Sequence, residues 1–69
     1  MSDYNSIRQQ LRRRRLELGL SQTALGAEIG TSQSHISDLE SDHHRATAPV
    51  LVRWAEALGF EITVSERAS

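Results

Sequence analysis

Apolar residues recur at helical spacing in the first part of this chain. Ile7, Leu11 and Leu18 lie four and seven positions apart, which predicts one apolar stripe along a first helix. This helix is expected to begin at Asp3 or Tyr4 and to end at Leu18, because a glycine follows.

Two short helices joined by a tight turn are predicted next. The second helix spans Gln22 to Ile29 and the third spans Gln33 to about Ser41, with Ser21 and Ser32 as their caps. The residues expected in the core of this pair are Leu20, Leu25, Ile29, Ile36 and Leu39. The hydrogen-bonding residues left on the outer face of the third helix are Gln33, Ser34, His35, Ser37 and Asp38. Such a face suits contact with base edges in a DNA major groove.

A fourth helix is predicted from about Ala48 to Leu58. Thr47 can cap it, and Pro49 is tolerated because it falls in the first turn. Its apolar positions recur at spacings of three and four and are Leu51, Trp54, Ala55 and Leu58. We expect these residues to face the core, with Trp54 either there or at a dimer interface.

The periodicity changes to two after the fourth helix. Phe60, Ile62 and Val64 alternate with polar residues, which predicts a short strand. A lone strand leaves its backbone groups unpaired. Two interpretations therefore stay open. The strand pairs with the same strand of a second copy, or the tail only docks Phe60.

The length of 69 residues allows one small domain, with an expected helical part at 1–59 and a dimerising strand and tail at 60–69. A core of this size is marginal, which favours oligomerisation. The chain has no cysteine, so neither disulfides nor a cysteine-based zinc site are expected. The N-terminal MSDYNSIRQQ lacks an apolar centre, and no apolar run approaches the roughly 20 residues of a membrane span. A cytoplasmic location is expected.

The net charge of −1 by itself argues against binding to nucleic acid, but the charges are unevenly distributed. All eight basic residues are arginine, and five of them lie between Arg8 and Arg15. A protein that is near neutral overall can bind DNA through local positive charge. Arg12 to Arg15 cannot all face DNA, because successive helix residues point about 100° apart.

The segment LRRRRLELGLSQTALGAEIGTSQSHISDLES resembles the Cro and lambda-type repressors, the XRE-type helix-turn-helix family. The resemblance covers roughly residues 7 to 59. It rests on Arg15, the Gly-Leu-Ser-Gln of 19–22, Leu25, Gly30, the Ser-Gln-Ser of 32–34, Ile36, Leu39, Glu40 and the Ala-Leu-Gly of 57–59. It implies an all-α, four-helix lambda-repressor-like domain, here with a short C-terminal β-strand, that binds double-stranded DNA as a homodimer.

The resemblance also implies roles for single residues. Gln22 would contact the DNA backbone, and Arg15 would form a structural salt bridge with Glu40. Gly26 stands where the family usually has alanine, which should keep the second and third helices close but lower helix propensity by about 1 kcal/mol. The strand-like ending is similar to antitoxins of this family, which repress their own operon, and it implies a cognate toxin as a further partner.

The expected contacts to DNA fall into two groups. Those with bases are Gln33, Ser34, Ser37 and Asp38, and those with the backbone are Ser21, Gln22, His35, Arg45 and Arg12. Gln33 leads the first group, because a glutamine amide can bond adenine N6 and N7 together. Asp38 could accept from cytosine N4, although a carboxylate near phosphates more often excludes wrong sequences or forms a salt bridge. For dimerisation the candidates are Phe60, Ile62 and Val64.

These observations predict a dimeric DNA-binding transcriptional regulator of bacterial or phage origin that represses a near-palindromic operator. Two subtypes remain open, an antitoxin-like autorepressor and a stand-alone regulator. The alternative from another class is a protein-interaction module that kept the fold and lost DNA binding. No enzyme is predicted, since the chain has no nucleophile elbow or phosphate-binding glycine loop. No cofactor is expected, and no metal site, because the histidines have no known ligand spacing.

Overall fold

The computed structural model describes residues 3–60, which form four α-helices. They are α1 (Tyr4–Glu17), α2 (Gln22–Ile29), α3 (Gln33–Glu40) and α4 (Ala48–Ala57). The four-helix prediction is confirmed, and α1, α3 and α4 each end one residue earlier than expected. The predicted strand residues Ile62 and Val64 lie outside the described residues. None of the described helices is long and apolar enough to cross a membrane.

Each helix begins at a capping side chain. Ser21, Ser32 and Thr47 accept hydrogen bonds from the backbone N–H three residues on, as predicted. Asp3 caps α1 in the same way, with a 2.8 Å bond from the Ser6 N–H to its carboxylate. That bond holds the pKa of Asp3 below its ordinary value. Short polar side chains at these sites satisfy backbone donors that have no partner within the helix.

The core lies where α2, α3 and α4 meet the inner side of α1. Its buried members are Leu11, Leu25, Ile29, Ile36, Leu39, Trp54, Ala55 and Leu58. Trp54 is fully buried, so it belongs to the core of this chain. Ile7, Leu20 and Leu51 pack against this cluster while only partly buried. The helical spacing of apolar residues therefore identified the core of α2, α3 and α4.

Leu18 is an exception to the predicted stripe on α1. Its side chain is 46% exposed, and the buried residues of that helix are Leu11 and Arg15. Leu18 is the C-cap residue, after which the backbone turns at Gly19 with a φ of +72°. The chain thus leaves the helix before Leu18 reaches the core, and the arginine one turn earlier occupies the inner position.

The turn between α2 and α3 depends on Gly26. This residue is buried, and a Cβ atom built on it would lie 2.7 Å from the carbonyl oxygen of Thr31. The same glycine accepts backbone hydrogen bonds from Gly30 and Thr31 at 2.8 and 2.7 Å. The turn therefore folds back directly onto the helix, which explains the absence of a side chain here.

Candidate nucleic-acid interface

The first residues of α2 and α3 are joined by their side chains. Gln33 donates from Nε2 to Oε1 of Gln22 at 2.6 Å. Gln22 in turn donates from Nε2 to Oε1 of Glu40 at 3.1 Å. The predicted base-contacting glutamine and the predicted backbone-contacting glutamine therefore form one hydrogen-bonded unit anchored at the end of α3.

A buried ion pair anchors this unit. Arg15 donates to both carboxylate oxygens of Glu40, from Nε at 2.6 Å and from Nη2 at 3.0 Å. Arg15 also donates from Nη1 to the carbonyl of Leu20 at 2.7 Å. Arg15 is 7% exposed and Glu40 is 4% exposed, so the pair is largely removed from water. Paired donors on a planar guanidinium fix both position and orientation.

The remaining candidates for base contact lie along α3. Ser34 and Asp38 are exposed, while Ser37 and His35 are half-buried. The His35 ring packs edge-on against the ring of His44, with 5.1 Å between centroids. The loop after α3 therefore places a second imidazole beside the polar face of this helix. Within residues 3–60, no set of three potential ligands is grouped around a metal position.

The candidates for backbone contact lie on α1, at the start of α2, on α3 and in the loop after α3. Ser21 is the cap of α2, and its hydroxyl accepts from Ala24 at 3.0 Å while its own proton stays free to donate. Arg12 lies 4.0 Å from Glu40 Oε1, the same oxygen that Gln22 contacts, and its side chain is 55% exposed. Arg45 is exposed, with its guanidinium 4.0 Å from the centroid of the Tyr4 ring.

Arg8 and Arg14 of α1 have mainly structural contacts. Arg14 donates from Nε to the carbonyl of Leu58 at 3.2 Å, which ties α1 to the end of α4. Arg8 donates to the carbonyl of Glu40 and lies 3.9 Å from Asp42. Sequence reasoning assigned no role to Arg8 or to Tyr4. The signal for them in the sequence was their spacing. The steps from Tyr4 through Arg8 and Arg12 to Arg15 are four, four and three residues, which places all four on one helix face.

Comparison with known proteins identifies the family of this chain. The searches of curated proteins and of solved structures returned no significant match. A family model described as helix-turn-helix matches residues 11–64, which is most of the chain. Its members are DNA-binding regulators rather than enzymes. The matched span includes the joined starts of α2 and α3 together with the buried ion pair. The chain therefore belongs to the XRE-type helix-turn-helix family.

Proposed function

We propose that this DNA-binding regulator is a dimeric repressor that recognises a near-palindromic operator through α3. The observation that carries the proposal is the hydrogen-bonded series from Gln33 through Gln22 to the buried Arg15–Glu40 pair. It holds an exposed amide in place before DNA arrives. A group that is already ordered loses less conformational entropy on binding.

The hydrogen-bonding capacity left on Gln33 matches an adenine. Its amide nitrogen carries two protons, of which one is donated to Gln22. The second proton can bond adenine N7, and the amide oxygen can accept from adenine N6. Ser34, Ser37 and Asp38 would extend the contact along the groove, with Asp38 able to accept from cytosine N4.

Phosphates would be bound on both sides of this face. The free backbone N–H groups at the start of α2 form a site for an anion, next to the Ser21 hydroxyl and the Gln22 amide. Arg12 stands near the same carboxylate as Gln22, while His35 and Arg45 lie towards the loop after α3. These contacts would make affinity depend on salt, and the base contacts would set sequence preference.

A dimer would place two copies of α3 in successive major grooves, about 34 Å apart. Phe60 ends the described chain with 39% of its surface exposed, and the alternating pattern of Ile62 and Val64 follows it. We assign this tail to dimerisation. Ile62→Asp would place a charge in that interface, so sedimentation should show a monomer. Persistence of a full-strength dimer would reject the assignment.

The tail pattern favours the antitoxin-like subtype, an autorepressor with a cognate toxin, over a stand-alone regulator. A second candidate function is a protein-interaction module without DNA binding. The exposed Asp38 on the outer face of α3 and the net charge of −1 favour this candidate, since both oppose contact with polyanionic DNA. The arginines of α1 favour the repressor.

Selection from a randomised DNA pool tests the proposal. The bound DNA would be sequenced at two salt concentrations for the wild type, for Gln33→Ala and for Gln10→Ala. Gln10 is an exposed glutamine of α1 with no role in the proposed contacts, so it provides a matched control. The wild type and the control should enrich the same inverted repeat, with half-sites about one helical turn apart.

Gln33→Ala should lose preference at one symmetric pair of positions while its free energy of unfolding stays unchanged. Full sequence preference at those positions in that variant would show that Gln33 does not contact a base. Failure of the wild type to enrich any sequence would favour the interaction module.

A further inference from the structure

Tyr4 contacts the loop that precedes α4 in two independent ways. Its hydroxyl oxygen accepts a hydrogen bond from the backbone N–H of Ala46 at 2.9 Å. Its ring faces the guanidinium of Arg45, with 4.0 Å from Cζ to the ring centroid. Tyr4 and Ala46 are 42 positions apart in the sequence. One side chain therefore holds both the backbone and the charged group at the same point of the loop.

These contacts continue a row along α1. Arg8 and Arg12, one and two turns further on, lie against Asp42 and Glu40 respectively. The same face of α1 thus holds the end of α3 and the loop after it. Tyr4 is the outermost member of the row and the one that reaches Arg45.

The position of the Arg45 guanidinium over the Tyr4 ring leaves its N–H donors available to an anion. The five N–H donors of a guanidinium lie in its plane, so an aromatic ring against its face occupies none of them. Arg45 is exposed, and among the salt bridges formed within residues 3–60 none involves Arg45. Attraction to the ring restricts the side chain. None of the side-chain hydrogen bonds formed within residues 3–60 uses a donor of Arg45.

The position of Arg45 indicates which anion it would bind. It follows α3, which has eight residues and is therefore about 12 Å long. When the N-terminal residues of such a helix meet base edges in the major groove, its C-terminal end is the part directed away from the bases and towards the groove's edge. Phosphates line that edge, and the loop after α3 is the next segment to reach them.

We infer that Tyr4 is a positioning residue for DNA binding, which holds the Arg45 guanidinium ready for a backbone phosphate. This inference rests on the proposed function. Tyr4 itself does not contact DNA. It acts by ordering Arg45 in the free protein, so that little side-chain entropy is lost when the phosphate is bound.

A double-mutant cycle tests the inference. Dissociation constants for the selected operator would be measured over a series of salt concentrations for the wild type, Tyr4→Leu, Arg45→Ala and the double variant. Tyr4→Phe keeps the ring, and Arg53→Ala removes an exposed arginine of α4 as a charge control. Thermal unfolding of each variant would show that the protein is folded at the temperature of the binding measurements.

We expect Arg45→Ala to reduce the salt dependence of log K by about 0.9, the value for one phosphate contact. Tyr4→Leu should weaken binding about two- to fivefold, the strength of an exposed cation–π contact. In the Arg45→Ala background Tyr4→Leu should have no further effect on DNA affinity. Tyr4→Phe should bind nearly as tightly as the wild type, and Arg53→Ala should leave the salt slope unchanged.

Three outcomes would overturn the inference. Equal weakening by Tyr4→Leu in both backgrounds would mean that Tyr4 only supports the fold. An unchanged salt slope in Arg45→Ala would show that Arg45 does not contact a phosphate. The proposed operator binding through α3 would not be affected by that result. Absence of operator binding by the wild type would overturn both the inference and the proposed function, and so the two failures are distinguishable.

Discussion

Gln33, the first residue of α3, donates a 2.6 Å hydrogen bond to Gln22, the first residue of α2. Gln22 also donates to the buried carboxylate of Glu40 at 3.1 Å. An exposed side chain on the proposed DNA-binding face is therefore tied to the interior through one intermediate. Changes at Gln22 should therefore affect Gln33, and the first prediction below rests on this coupling.

Gln22→Ala should impair base recognition as well as backbone contact. Removal of Gln22 frees the Gln33 amide to rotate, because its hydrogen-bond partner is gone. We expect operator binding to weaken by about 1 kcal/mol, or roughly fivefold. Discrimination at the base pair assigned to Gln33 should also fall. Binding titrations with operator and point-substituted DNA would measure both effects. Additive effects of Gln22→Ala and Gln33→Ala would show that the two side chains act independently.

Glu40→Ala should lower the free energy of unfolding by about 3–5 kcal/mol, because it leaves the buried Arg15 guanidinium without its counter-charge. Denaturant titration would measure the change. Glu28→Ala, which removes an exposed glutamate of α2, should stay within about 0.5 kcal/mol of the wild type. Replacing Arg15 and Glu40 together by leucine should restore part of the loss, since no unpaired charge remains. A double variant that loses as much free energy of unfolding as the two single leucine replacements of Arg15 and Glu40 combined would contradict this account.

Gly26→Ala should destabilise the domain even though alanine favours helices. The added methyl group would approach the Thr31 carbonyl to 2.7 Å, so the turn must move. Overpacking of this kind costs about 1–3 kcal/mol, which exceeds the gain of about 1 kcal/mol in helix propensity. Thermal unfolding would measure the balance.

Ala27→Gly serves as the control for propensity at the neighbouring exposed position and should itself lower stability by about 0.5–1 kcal/mol. A Gly26→Ala variant more stable than the wild type would mean that the turn can shift without penalty.

Asp3→Asn should make stability less sensitive to acid. The hydrogen bond from Ser6 lowers the pKa of Asp3 in the folded protein. The folded state therefore binds this proton less readily than the unfolded state. Its stabilising contribution is present above the ordinary aspartate pKa and is lost as the pH falls through the lowered pKa.

Asparagine can cap the helix without titrating, so the two proteins should have similar stability near neutral pH. Melting temperatures from about pH 7 down to pH 3 would test this, across the range where aspartate takes up its proton. Every other carboxyl group is common to both proteins, so the wild type should lose more stability in acid. Parallel curves would show that the Asp3 cap contributes nothing to the acid response.

The sequence by itself determined the four helices, three of the four observed caps and most of the core. These features depend on local chemistry, because capping side chains bond the backbone three residues away and apolar residues repeat every three or four positions. Ser21 and Ser32 defined the starts of α2 and α3 for this reason. The family match confirms the resemblance that the same segment carried.

The Arg15–Glu40 pair was implied by the family resemblance, but only the tertiary structure decided what Arg8, Arg12 and Arg14 contact. Arg8, Arg12 and Arg15 face the end of α3 or the loop after it, whereas Arg14 reaches α4. A run of identical residues carries no information about which of them meets a neighbouring helix. The Gln22–Gln33 bond and the contact between Arg45 and the Tyr4 ring also depend on how separate segments pack together. Those contacts join positions far apart in sequence, and no local periodicity encodes them.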